Sequence, residues 1–200
     1  MTNSPSGFSE LACKYKRGVD FDIEIIERSI SDIVIIAPHG GKIERRTSDI
    51  ARAIAGDDFN LYLFEGIRSE LNYETLHLTS HLFDEPECLS LIKNKKTIVA
   101  IHGCNAKSED EYGCVFLGGQ DLQLKGKIAD SLQKQNIKLK VDNHRFPGQH
   151  PENICNRGLT GKGIQIELTD ELRGTDEEPA IINAVRSVLL KSQLRKIDFH

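Results

Sequence analysis

No stretch of this sequence approaches the ~18 consecutive apolar residues that a membrane span requires. The opening residues, MTNSPSGFSELACKYKRG, also lack the apolar block of a signal peptide. These absences predict a soluble chain, made in the cytoplasm, whose mature form begins near Met1. Cysteine is sparse: five residues, at 13, 88, 104, 114 and 155, form no C-x-x-C. That argues against a thiolate zinc site and a disulfide framework, and it suits reduced thiols. Positive charge is in deficit too. With 26 Lys and Arg against 30 Asp and Glu, the net charge is −4, which argues against nucleic-acid binding through bulk electrostatics. The Gly-rich GLTGKG lacks the spacing of a phosphate loop. H-E-x-x-H is missing, and so are the H-x-E and P-C-x-x-C of a zinc nucleobase deaminase. With no internal repeat, low-complexity tract or Pro/Ser-rich linker, residues 1–200 are expected to form a single domain.

What is present reads as strands alternating with helices. DIVIIAP (32–38), NLYLFEG (60–66), TIVAIHG (97–103), GCVFLGG (113–119), KLKVD (138–142) and GIQIELT (163–169) carry the β-branched or alternating patterns of strands, as does LHLTS (76–80). TSDIARAIAG, capped by Thr47 or Ser48, is predicted helical. So are DLQLKGKIADSLQKQN (121–136), capped by Asp121, and the tail from about 177 to 196. The expected fold is an α/β single domain, a mixed β-sheet flanked by helices. Ligand sites in such sheets gather at the carboxyl ends of strands, and both His39 and His102 stand there.

His39, Glu44 and His102 form a candidate His₂Glu metal site, with a fourth position left for water. Gly40 and Gly41 could turn the chain so that Glu44 returns toward His39; the plainer reading is a β–α turn with a solvated glutamate. Glu167, on the polar face of its strand, is either an ion-pair partner or a general base. Asn156 and Arg157 offer an amide and a planar fork for a carboxylate, or else a structural loop pair. His77 could line the site. His81, His144 and His150 read as surface or loop residues.

Taken in order, PHGGKIE, FEG, LHLTSHLFDEP, AIHGC, GG, NICNRG and GIQIEL resemble the poly-γ-glutamate hydrolase family of phages and bacilli over about residues 10–175. These are small zinc enzymes similar in core fold to zinc carboxypeptidases. The resemblance implies one Zn²⁺ held by His39, Glu44 and His102, with Glu167 as general base for the attacking water. It also implies that Asn156 and Arg157 meet a substrate carboxylate. The implied substrate is poly-γ-glutamate, a polyanion, with Lys42 among the cations that offset its charge; no nucleic acid or membrane partner is implied, and a monomer is expected. Made without a leader, such an enzyme could act outside the cell after host lysis. One difference stands: zinc carboxypeptidases use His-x-x-Glu, whereas four residues separate His39 from Glu44. The alternatives are a zinc amidase or peptidase for other γ-glutamyl or N-acyl acidic compounds, and a non-catalytic metal- or polyanion-binding protein.

Overall fold

The computed structural model describes residues 5–197; residues 1–4 and 198–200 of the expected single domain lie outside the described residues. Seven strands form one mixed sheet in the order β1-β3-β2-β4-β7-β5-β6. They are β1 (Phe21–Ile26), β2 (Ile33–Gly41), β3 (Asn60–Gly66), β4 (Thr97–Cys104), β5 (Val115–Gly118), β6 (Leu139–Lys140) and β7 (Ile164–Thr169). The central strands β3, β2, β4 and β7 run parallel, while β1 and β5 are antiparallel to their neighbours β3 and β7. Central parallel strands are buried on both faces, which explains the unbroken apolar runs of β2 and β4.

Helices cover both faces. On one, α2 (Thr47–Ala55), α5 (Leu122–Gln133) and α6 (Glu178–Ile197) lay Ile50, Ile54, Ile128, Leu132, Val185 and Leu189 against Ile33, Ile35, Val99, Ile101, Ile164 and Ile166. On the other, α1 (Phe8–Lys14), α3 (Asn72–Leu76) and α4 (Pro86–Ile92) lay Leu11, Leu76, Leu91 and Ile92 against Val34, Ile36, Tyr62, Phe64, Ile98 and Ala100. No helix among the described residues is long and apolar enough to cross a membrane.

The predicted strand at 76–80 does not form. Leu76 closes α3, and the chain then crosses the sheet's end without pairing. Leu76 and Leu78 are both fully buried, so their alternation marks burial rather than a ladder. The predicted caps of α2 are also put to other use. Arg46 is the N-cap residue and makes no side-chain cap bond. The Thr47 hydroxyl donates instead to the Glu44 carbonyl at 2.7 Å, and the Ser48 hydroxyl accepts the Gly41 N–H at 3.0 Å.

Strand β2 carries the feature that positions the site. Ala37 pairs with Leu63 and Gly40 with Glu65, so three steps on β2 match two on β3. This is a β-bulge, which re-aims the side chains beyond it. Ile33, Ile35 and Ala37 face α2. Odd-numbered His39 instead turns to the opposite face, where its ring meets Phe83 and His102. Past the bulge, the backbone packs too closely for side chains. Gly41 has φ +61°, and a Cβ there would lie 2.5 Å from the Gly66 carbonyl oxygen. Gly41→Ala is expected to cost at least about 2 kcal/mol, from left-handed strain and overpacking. The urea midpoint in chelator measures this; a shift worth under about 0.5 kcal/mol would show that the loop closes without glycine.

Candidate metal centre

The loop after β2 folds back on itself. The Glu44 N–H donates to the His39 carbonyl at 2.9 Å, which returns the carboxylate to the imidazole five residues behind it. His39 Nε2 lies 2.6 Å from the Leu78 carbonyl oxygen. A carbonyl only accepts, so Nε2 carries a proton and Nδ1 faces into the site. That Nδ1 stands 3.1 Å from Glu44 Oε1 and 3.1 Å from His102 Nδ1. His102 Nδ1 is in turn 3.7 Å from Glu44 Oε2, which also accepts the Gly103 N–H at 2.8 Å. All three residues are buried.

Three ligand-type groups facing one another in a buried site call for a proton or a cation between them. Ligands at zinc distances of 2.0–2.2 Å in a tetrahedron are spaced about 3.3 Å apart, close to the separations seen here. Nitrogen and carboxylate oxygen are also zinc's chemistry. The Leu78 carbonyl supplies the outer hydrogen bond that fixes a ligating imidazole. The donor set fits such an ion.

His77 approaches the same carboxylate, with Nε2 3.4 Å from Glu44 Oε1. The ligand atoms of His39, Glu44 and His77 all lie within 4.8 Å of one another. Its ring lies over that of His39, centroids 3.9 Å apart and planes tilted by 33°. Stacked rings aim their lone pairs side by side, whereas the His39 and His102 rings meet edge-on at 63° and can converge.

Glu167 lies beside His102 in the β4–β7 register and shares its face. Two carboxyls in one buried site separate in acidity. Burial pushes Glu44 up, but the charge of His39 and hydrogen bonds from His102, His39 and His77 outweigh it and hold the group well below the usual carboxylate range. Burial raises Glu167, and the Glu44 charge raises it further; Arg145, Gln165 and Arg173 oppose this without winning. Burial and the charge of His39 lower His77, favouring its neutral form.

A cleft of about 770 Å³ opens over these groups, lined by His39, Glu44, His77, His102, Glu167 and Lys42 among others. Asn156 and Arg157 are not brought to its lining. Asn156 is buried, with its amide donating to the Gly148 and His150 carbonyls at 2.8 and 3.0 Å and its oxygen accepting from Gln120 and Gly163. It thus pins the loop that forms one wall. Arg157 turns away, toward the Phe83 carbonyl at 3.4 Å and Glu152 at 3.7 Å. The cleft's cations are Lys42, Arg45, Lys107, Arg145 and Arg173. Arg145 and Arg173 were not legible as site residues. For Arg145 the signal is the following Phe146, over whose ring its guanidinium lies at 4.2 Å.

A buried His–Glu donor set beside a second buried glutamate, at the open end of an α/β sheet, is an arrangement that can serve hydrolysis. Residues 6–176 match the family described as poly-gamma-glutamate hydrolase. The UPF0714 protein YmaC of Bacillus subtilis is 35% identical over 170 residues, covering 84% of this chain and 69% of its own. YndL of the same organism is 36% identical over 146 residues, 72% of this chain but 55% of YndL. Among solved structures, a bacteriophage poly-gamma-glutamate hydrolase superposes with TM-score 0.87 at 26% identity, over 94% of this chain and 97% of that one. A structure described as YNDL-apo (Zinc-free) gives 0.84 at 28% identity, over 94% and 98%. The chain belongs to the poly-gamma-glutamate hydrolase family and is a hydrolase.

The opposed acidities carry a stability consequence. Glu167 is raised in the folded state, so its contribution is fully present below the ordinary carboxyl value of 4.5 and is lost as pH rises through the folded value. In chelator, Glu167→Gln is therefore expected to melt above the native protein at pH 8, by about 1–3 kcal/mol or roughly 2–10 °C. The gap should close as pH falls toward 4.5. Equal melting temperatures across that range would count against a buried, repelled carboxyl.

Proposed function

We propose that this hydrolase cleaves γ-glutamyl amide bonds in poly-γ-glutamate, with one zinc ion held by His39, Glu44 and His102 and with Glu167 as general base. The observation that carries the reading is the convergence of His39 Nδ1, His102 Nδ1 and the Glu44 carboxylate beside Glu167. Between the two candidates for third ligand, edge-on His102 is favoured over stacked His77. His77 is then a neutral neighbour that steadies Glu44 from the cleft side. Kinship with a family that includes a zinc-free apo form also supports the ion.

Zinc there would supply Lewis acidity, polarising the scissile carbonyl and acidifying water. The chain's own residues do the rest. Glu167, on the strand next to His102, takes a proton from the attacking water and returns it to the leaving amine nitrogen. A carboxyl whose acidity is weakened by burial suits that second, acid role.

Poly-γ-glutamate carries one free carboxylate per unit, and a chain of net charge −4 repels it unless local cations intervene. Arg145 is the best placed. Glu111 and the Asn105 carbonyl hold its Nε and Nη2, Phe146 supports its face, and no hydrogen bond among the described residues engages Nη1. Such a clamped fork meets a carboxylate with little further ordering. Lys42 is partly tethered through the Arg68 carbonyl at 2.9 Å. A zinc amidase for other N-acyl acidic compounds would use the same ligands, and a substrate panel separates the two.

Incubation with poly-γ-glutamate, followed by chain-length measurement, tests the proposal. Shortening is expected, lost with chelator and restored by zinc; unchanged chain length with zinc bound would sink it. Glu167→Gln should lower kcat by about 10²–10⁴-fold while retaining zinc. His102→Ala should lose the metal that His77→Ala keeps; the reverse would exchange their roles. Arg145→Ala should raise KM about tenfold or more, with Arg157→Ala near the native value. A KM effect confined to Arg157 would move the carboxylate contact out of the cleft's lining.

A further inference from the structure

Three buried polar side chains stand in file along the cleft, ending at the candidate base. Asn153, Gln165 and Glu167 are each less than 7% exposed. The Cys155 N–H donates to Asn153 Oδ1 at 3.1 Å, Asn153 Nδ2 donates to Gln165 Oε1 at 2.7 Å, and Gln165 Nε2 donates to Glu167 Oε1 at 2.9 Å. The direction of this chain is determined at its far end. A backbone N–H can only donate, so Asn153 must present its oxygen to Cys155 and its NH₂ to Gln165. Gln165 must then accept with its oxygen, which leaves its NH₂ for Glu167.

We propose that Gln165, oriented by Asn153, is the positioning residue that holds the Glu167 carboxyl in its working rotamer. This rests on the reading of Glu167 as general base. Donation from Gln165 occupies Oε1. The other oxygen, Oε2, makes no hydrogen bond among the described residues, and Glu167 lines the cleft. One oxygen is anchored and one is free to exchange protons. Gln165 also disfavours a proton on the anchored oxygen, because a carboxyl O–H oxygen is a weaker acceptor for its NH₂ than a carbonyl or carboxylate oxygen. Proton exchange is thereby directed to Oε2.

The amide does this without adding a charge. An Arg or Lys at 165 would bind the carboxylate more strongly, but it would hold the base ionised and weaken its second role as acid. A neutral donor restrains geometry and leaves acidity to burial and to Glu44. The wall loop secures Gln165 in its turn. A Cβ on Gly148 (φ +60°) would lie 3.2 Å from Gln165 Cβ, so the loop lies directly on that side chain. Asn156 pins the same loop through its bonds to Gly148 and His150. Rotamer freedom is thus removed from the base by packing and hydrogen bonds two residues deep.

Kinetics with poly-γ-glutamate on zinc-loaded protein test the inference, with Gln165→Met preserving shape and removing the donor. The expected result is a 10–100-fold fall in kcat, with KM within about twofold and zinc content unchanged. Placed in the Glu167→Gln background, Gln165→Met should cost less than about twofold more, because it acts only through Glu167. Asn153→Asp keeps the acceptor for Cys155 but cannot donate to Gln165, so it should lower kcat alone and add little to Gln165→Met. It also carries the test if Gln165→Met fails to fold. A full-strength loss from Gln165→Met on top of Glu167→Gln would overturn the positioning role and leave the base assignment standing. Near-native turnover by Glu167→Gln would overturn both.

Discussion

One extra residue in β2 decides where the chemistry can occur. Strand alternation would send His39 into the apolar layer under α2, alongside Ile33, Ile35 and Ala37. The bulge between Ala37 and Gly40 turns it to the face where even-numbered His102 and odd-numbered Glu167 already lie, each on its own strand's phase. A one-residue register change reverses every side chain beyond it, so the donor set exists only because β2 is out of step with β3. The close packing that follows is the cost of that bulge. Gly40 lies against the Ser48 hydroxyl, and Gly41 against Gly66. Side chains at either position would push the loop off the ladder that aims it.

Burial then divides two similar carboxyls into different tools. Glu44 is surrounded by three imidazoles and the Gly103 N–H, so its negative charge is held. Glu167 has an amide, two more distant guanidiniums and a carboxylate neighbour, so its charge is resisted. The two arrangements pull in opposite directions: the imidazoles hold the Glu44 charge, and that charge repels Glu167. Sites that store such conflict trade stability for function. A cation at the centre would ease the repulsion, which would couple metal binding to folding.

Much of this was legible in the sequence, for identifiable reasons. The strand at 60–66 has the predicted bounds, because Asn60 and Gly66 end a clean apolar run. The central strands and the three longer helices also stand where their periodicities place them. Four elements went unannounced, among them the five-residue α3. α1 and α4 are seven residues each, too short for helical periodicity to register, although Glu85 and Pro86 are a sound N-terminal signal. β1 alternates as FDIEII, but its charged outer face resembles a loop. At the site, residues in compact phrases such as PHGGKIE and AIHGC could be read, since strand ends confer position. Arg145 and Asn153 could not, because their positions depend on how a long irregular loop folds across β7. Asn156 and Arg157 share that loop, and nothing local in N-R indicates which way each side chain turns.

The polar groups around the base show a division of labour that charge alone does not explain. Near Glu167 the restraining contacts are amides: Gln165, then Asn153, with Asn156 holding the loop above. Guanidiniums are kept further out and are engaged elsewhere, Arg145 by Glu111 and Arg173 by the Arg45 and Cys104 carbonyls. In a low-dielectric pocket an ion pair would dominate the acidity of its partner, whereas an amide determines direction while perturbing acidity less. A group that must both accept and release a proton needs direction without a fixed charge state. Neutral amides in contact with the base and cations set apart from it along the cleft meet both demands, one serving the proton and the other the polyanion.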